Sequence, residues 1–205
     1  MSESATGWTK DLTKLRHAPQ WSHMSIGLGL LRAFQVSLGL LIVEGLTGCA
    51  LLPSGAKASE VRALQDALGS LSPTVRQVEA ERVAQCAYDS SRILAQKYRV
   101  VRPAGLHNFL VNVGLKQRGL CYQWAEDLLA QLQTFKLDSL ELHWGIARAD
   151  TAREHNSVVV TARGQPFDEG IVLDPWRRSG RLVWSPVAAD KYPWVEGELA
   201  ASPTP

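Results

Sequence analysis

The most constraining feature of this chain is a change of hydrophobic period near Asp138. Upstream of it, Ala80, Val83, Ala84, Ala87, Ser91, Leu94 and Tyr98 recur at three- and four-residue intervals, placing one apolar stripe along a helix from Thr74 to Tyr98. Downstream, Leu140, Leu142, Trp144 and Ile146 alternate with Glu141, His143 and Gly145, the period of a half-buried strand. A chain that runs helices first and strands afterwards predicts an α+β domain, with helices packed against an antiparallel β-sheet.

The remaining elements follow the same division. A short helix is expected over Glu60 to Leu68, capped by Ser59 and ended by Gly69, Ser70 and Pro73. His107 to Leu115 reads as another short helix. A longer one starts at Leu120, with Cys121, Trp124, Ala125, Leu128, Leu129 and Leu132 on one face. Further strands are expected at His155 to Ala162, Gly170 to Asp174 and Arg181 to Ser185. Gly164, Gln165 and Pro166 supply the turn of a hairpin. The domain is expected over residues 60–195. The Pro- and Ala-rich tail 196–205 is expected to be disordered.

Residues 1–48 read as a targeting segment. The apolar run from Ala33 to Val43 is short, Arg32 and Glu44 interrupt its surroundings, and Lys10, Lys14, Arg16 and Arg32 precede it. That suits a signal-peptide apolar region better than a spanning helix, which wants about 20 apolar residues. Met24 is an alternative start. Leu46-Thr47-Gly48-Cys49 resembles the lipobox of bacterial lipoproteins. The resemblance implies lipidation at Cys49 and a membrane anchor, with 49–59 as a tether. Ala50, where an Asp would direct retention in the inner membrane, implies the outer membrane facing the periplasm. An uncleaved anchor with an incidental cysteine is the competing reading.

A net charge of +2 with no long basic run gives no reason to expect a nucleic-acid partner. Three cysteines, Cys49, Cys86 and Cys121, do not make a disulfide framework, so each needs its own account. Cys86 lies beside Ala87 at the flank of its stripe and reads as a small residue at the core's edge.

Cys121 is different because it sits at or near the first turn of its helix, just after Gly119. A helix N-terminus or a paired imidazolium lowers a thiol's pKa from its ordinary value near 8.5, and the thiolate is the nucleophile. A base must then lie within reach, oriented by a third group. His155 opens one strand and Asp174 closes the next. A hairpin turning around Gly164 to Pro166 sets the two directly opposite one another, on one face of the sheet. Taken singly, each residue has an ordinary reading: a buried cysteine, a strand-end histidine, a turn aspartate before Pro175. Only the trio raises them above that. His143 and His107 are the fallback bases. Zinc is a poor reading, since no short ligand pair such as C-x₂-C occurs.

The stretches "GLCYQWAEDLLAQL", "HNSVVV" and "GIVLDPW" together resemble the transglutaminase-like, papain-like cysteine superfamily. Gly119-x-Cys121, His155 and Asp174-Pro175 match that family's three motifs in order, over about residues 75–185. Two departures concern Tyr122, where animal members have Trp, and Asn156-Ser157 after the histidine. The resemblance implies a Cys-His-Asp triad of Cys121, His155 and Asp174. It would act on an amide of a protein or peptide substrate through a thioester, with no cofactor and no metal. It further implies an oxyanion stabiliser made of the nucleophile's own N–H and an upstream side chain, for which Gln117 and Asn112 are candidates. Tyr122 and Trp176 are candidates for the cleft wall. Arg177, Arg178 and Arg181 read as a solvated basic face. The competing class is an envelope scaffold or binding lipoprotein that keeps the fold without the chemistry.

Overall fold

A computed structural model describes residues 58–198. The targeting segment, Cys49 and most of the tether lie outside the described residues. Four helices precede five strands: α1 (Ala58–Gly69), α2 (Gln77–Lys97), α3 (Ala104–Asn112), α4 (Cys121–Leu132), β1 (Leu140–Ala147), β2 (His155–Ala162), β3 (Ile171–Asp174), β4 (Val183–Pro186) and β5 (Trp194–Gly197). The strands form one antiparallel sheet in the order β4-β3-β2-β1-β5. The α+β class expected from the change of period is what the chain adopts.

Period explains which residues meet. The α2 stripe of Ala80, Val83, Ala84 and Ala87 packs with Leu64 and Leu68 of α1 and with Leu128 and Leu132 of α4. Beneath them lie Leu140, Val158, Val160, Ala162, Ile171 and Leu173 from one face of the sheet. Small alanines on α2 let the helices approach closely, and the leucines fill the remaining space. The other face carries Ala147, Val159 and Val172 under Val187 and Trp194. Strand β2 is therefore buried along its whole length, on both faces.

Three sequence expectations need correction. Helix α3 starts at Ala104, three residues earlier than expected, because Pro103 occupies its N-cap with an extended backbone. Strand β4 is Val183–Pro186, not Arg181 to Ser185. Glu196 and Gly197 do not belong to a disordered tail: they pair with Gly145 and Trp144 as part of β5. A four-residue strand with exposed Val195 and Glu196 carries too little periodicity to be read in advance.

A buried carboxylate ties the helical half to the sheet. Glu79, 2% exposed in the first turn of α2, accepts hydrogen bonds from the Asp138 N–H (3.1 Å), the Ser139 N–H (2.9 Å) and the Ser139 hydroxyl (2.8 Å), all at the entry to β1. Arg76 stands 3.3 Å away. Burial pushes this carboxyl up, but the donors outweigh it and hold Glu79 below the usual carboxylate value.

Candidate active site

Helix α4 begins at Cys121 because the preceding residues are held in place from two sides. Gly119 has φ +129°, and a Cβ there would fall 2.2 Å from the His107 ring. Only glycine combines that backbone conformation with so close an approach. His107 is itself fixed, its Nδ1 accepting from the Val101 N–H (3.2 Å) and its Nε2–H donating to the Arg118 carbonyl (2.9 Å). Leu120, at the N-cap, has no side-chain cap to offer. Gln123 substitutes: its Oε1 accepts from the Gly119 N–H (2.7 Å) and the Leu120 N–H (3.1 Å). Trp124 closes the turn by donating its indole N–H to the Gly119 carbonyl (3.0 Å). Cys121 thus occupies the first helical position, where backbone N–H groups have no intrahelical acceptor. Gly119→Ala is expected to cost about 1–3 kcal/mol. The chemical-denaturation midpoint checks this, and an unchanged midpoint would show that the His107 shelf does not hold the turn.

His155 and Asp174 are joined by a 2.6 Å hydrogen bond from Nε2 to Oδ2, with the imidazole 2% exposed and Asp174 fully buried. They are not directly opposite, as the simple hairpin had it. Val158 pairs with Leu173, so the ladder sets Ser157 across from Asp174 and leaves His155 on the diagonal. The register differs by two residues because the connection includes a 3₁₀ turn at Phe167–Glu169 rather than a tight bend. A slip of two preserves the face, and diagonal neighbours remain within reach of long side chains.

With Nε2 bound to Asp174, the imidazole's Nδ1 is buried and has no closed hydrogen bond. The remaining polar neighbour of the ring is the Cys121 thiol, which also makes a long 3.8 Å contact to the Glu154 carbonyl. Burial pushes the Cys121 thiol up. The neighbouring His155 and Asn156, with the charge of the imidazolium, outweigh it and hold the thiol below its ordinary value. Burial likewise pushes His155 down, but Asp174 and Cys121 outweigh it and raise the imidazole to about 9. The thiol is lowered and the imidazole raised, the directions that favour a thiolate–imidazolium pair.

The sequence missed what surrounds this pair. Arg177 is not part of a solvated basic face. Its backbone N–H and Nε donate to the two oxygens of Asp174 (3.0 and 2.9 Å), and its terminal nitrogens donate to Asp190 (3.0 and 3.3 Å). Asp190 is in turn fixed by the Ser185 hydroxyl (2.6 Å) and the Tyr192 N–H (2.9 Å). Asp174 is thus held from behind by an ion-paired guanidinium. The only sequence signal was an arginine three residues beyond a strand-end aspartate. Arg178 stays exposed, and Arg181 pairs with Glu60. Around the imidazole stand Trp176 (4.8 Å between ring centroids), Tyr192 (4.8 Å) and Trp194 (5.3 Å). Trp176, expected as a cleft wall, packs its ring beside the imidazole and donates its indole N–H to Asn108 (2.9 Å).

Other candidates fall elsewhere. Tyr122 is exposed beside Cys121. Gln117 and Asn112 are exposed and make no hydrogen bond to the thiol or the imidazole, so no observation supports either as an oxyanion donor. Asn156, which the sequence presented only as a departure, contacts the thiol, and its side chain is fixed by Trp144 and Glu154. His143 is engaged by Glu196 (2.6 Å) and Thr161 (2.8 Å), and His107 by the backbone, so neither fallback base is available. Cys86 and Cys121 are both free thiols, and burial pushes Cys86 up. No group of residues able to hold a metal occurs among the described residues.

The class defined by this arrangement is an α+β domain with a cysteine at a helix start beside a buried His-Asp pair. Compared with protein families, with curated proteins and with solved structures, the chain has no match in any of the three.

Proposed function

We propose that this protein is a cysteine acyl-transfer enzyme of transglutaminase-like type, acting as a peptidase or amidohydrolase, with transamidation as the variant in which an amine replaces water. The observation that carries the reading is the 2.6 Å His155–Asp174 hydrogen bond beside the Cys121 thiol, with the thiol lowered and the imidazole raised. The Cys121 thiolate attacks an amide carbonyl to give a tetrahedral oxyanion. First-turn N–H groups of α4, that of Cys121 included, are suited to receive it. The His155 imidazolium gives its proton to the departing amine, leaving a thioester on Cys121. The neutral imidazole then takes a proton from water as its oxygen attacks the thioester, which releases the carboxylic acid and the Cys121 thiolate beside the regenerated imidazolium. Asp174 holds the ring so that Nδ1 faces the sulfur. In the full proposal Cys49 carries the lipid that anchors this domain at the cell envelope.

Alkylation by a small thiol-directed electrophile tests the reading. Cys121 is expected to react at pH values below the ordinary thiol range, and Cys121→Ala to abolish that label. Label that persists and maps to Cys86 would sink the assignment. With an acyl substrate, turnover should fall on the alkaline side near pH 9, where His155 loses the proton that the leaving group needs. An alkaline limb near the ordinary imidazole value would show that Asp174 and Cys121 do not raise His155.

A further inference from the structure

Helix α3 presents an apolar face to solvent. The one residue it fully buries is His107, whereas Leu106, Phe109 and Val113, spaced to share one face, are 43%, 58% and 50% exposed. Leu115, in the turn that follows, is 72% exposed, and Tyr122 at the mouth of the cysteine site is 41% exposed. Exposed apolar surface gathered this way marks an interaction site more often than scattered leucines do.

Along the chain, the charges that flank α3 have one sign. From Arg99 to Ala125 the chain contains Arg99, Arg102, Lys116 and Arg118 and no Asp or Glu. Arg118 is engaged by Glu126 and Asp127. Arg99, Arg102 and Lys116 make no ion pair among the described residues. They flank α3 on both sides, and the Lys116 ammonium donates to the Arg99 carbonyl (2.9 Å), so the flanks meet.

We propose that this face docks on a bilayer carrying anionic lipid, with Leu106, Phe109, Val113 and Leu115 entering the interface and Arg99, Arg102 and Lys116 against the headgroups. Projecting apolar side chains with a cationic border are what an interfacial helix requires. A peptide ligand would call for a recess, and these side chains project. A second copy would oppose two cationic borders across a symmetric contact. Because Gly119 packs on His107, docking α3 brings the Cys121 mouth to the lipid–water boundary. The proposal does not depend on the chemistry of Cys121.

The test uses the full chain with Cys49, Cys86 and Cys121 replaced by Ser and a single environment-sensitive fluorophore at Phe109→Cys. A second preparation carries the fluorophore at exposed Asp168→Cys. The apolar run at residues 33–43 can itself hold the chain on a vesicle, so the readout is local. On phosphatidylcholine vesicles containing phosphatidylglycerol, the Phe109 label should shift to the blue and be quenched by brominated acyl chains, while the Asp168 label does not. Replacing Arg99, Arg102 and Lys116 together by Gln should lower the ratio of immersed to exposed label on the order of a hundredfold. Equal responses from the two labels, no response, or the same response on pure phosphatidylcholine would overturn the proposal. So would a concentration-dependent shift without vesicles, which would identify the face as a contact between copies.

Discussion

Asp174→Asn is expected to lower turnover of any acyl substrate on the order of ten-thousandfold. The carboxylate accepts from His155 Nε2 and so places the ring's lone pair on Nδ1, toward Cys121. An amide at the same place presents an N–H to Nε2 and reverses the tautomer, so that Nδ1 carries a proton where the thiol needs an acceptor. The substitution also removes one of the two carboxylates that Arg177 spans. Alkylation of Cys121 at pH 7 should slow by about tenfold or more as the thiolate loses its imidazolium. Circular dichroism and the melting temperature separate this from unfolding. A folded Asp174→Asn variant with an unchanged alkylation rate would remove Asp174 from the proposed machinery.

Glu79→Ala is expected to cost about 3 kcal/mol, because it leaves the part-buried Asp138 N–H and the buried Ser139 N–H without an acceptor. The effect has a pH signature. Glu79 has its carboxyl lowered in the folded state, so its contribution is fully present above the unfolded value of 4.5 and is lost as pH falls through the lower folded value. Wild-type stability should therefore fall with acid in that window, and Glu79→Gln should flatten this part of the curve. Denaturant midpoints between neutral pH and the acid limit measure it. Parallel curves for wild type and Glu79→Gln would show that the carboxylate's charge does not matter there.

Much of this molecule is legible in one dimension because period reports burial. The alanines of α2 and the alternation of Leu140, Leu142 and Trp144 announce which face meets the core, and from them the α+β order follows. Cys121, His155 and Asp174 are legible as a trio because each sits at the end of an element, where glycine, strand onset and proline punctuate the chain. The transglutaminase-like assignment rests on those three motifs and stays a proposal.

What the sequence by itself determined is the element type, the face of each element and the place of Cys121, His155 and Asp174 at element ends, since these depend on neighbours within a few residues. Tertiary structure alone decided the two-residue register between β2 and β3, the seat of Gly119 on His107, and the pairing of β5 with β1. It also turned Arg177 from a surface cation into the bridge between Asp174 and Asp190. These depend on distances between segments far apart in the chain. A charge pattern cannot tell a guanidinium that meets water from one that a folded loop has closed over two carboxylates.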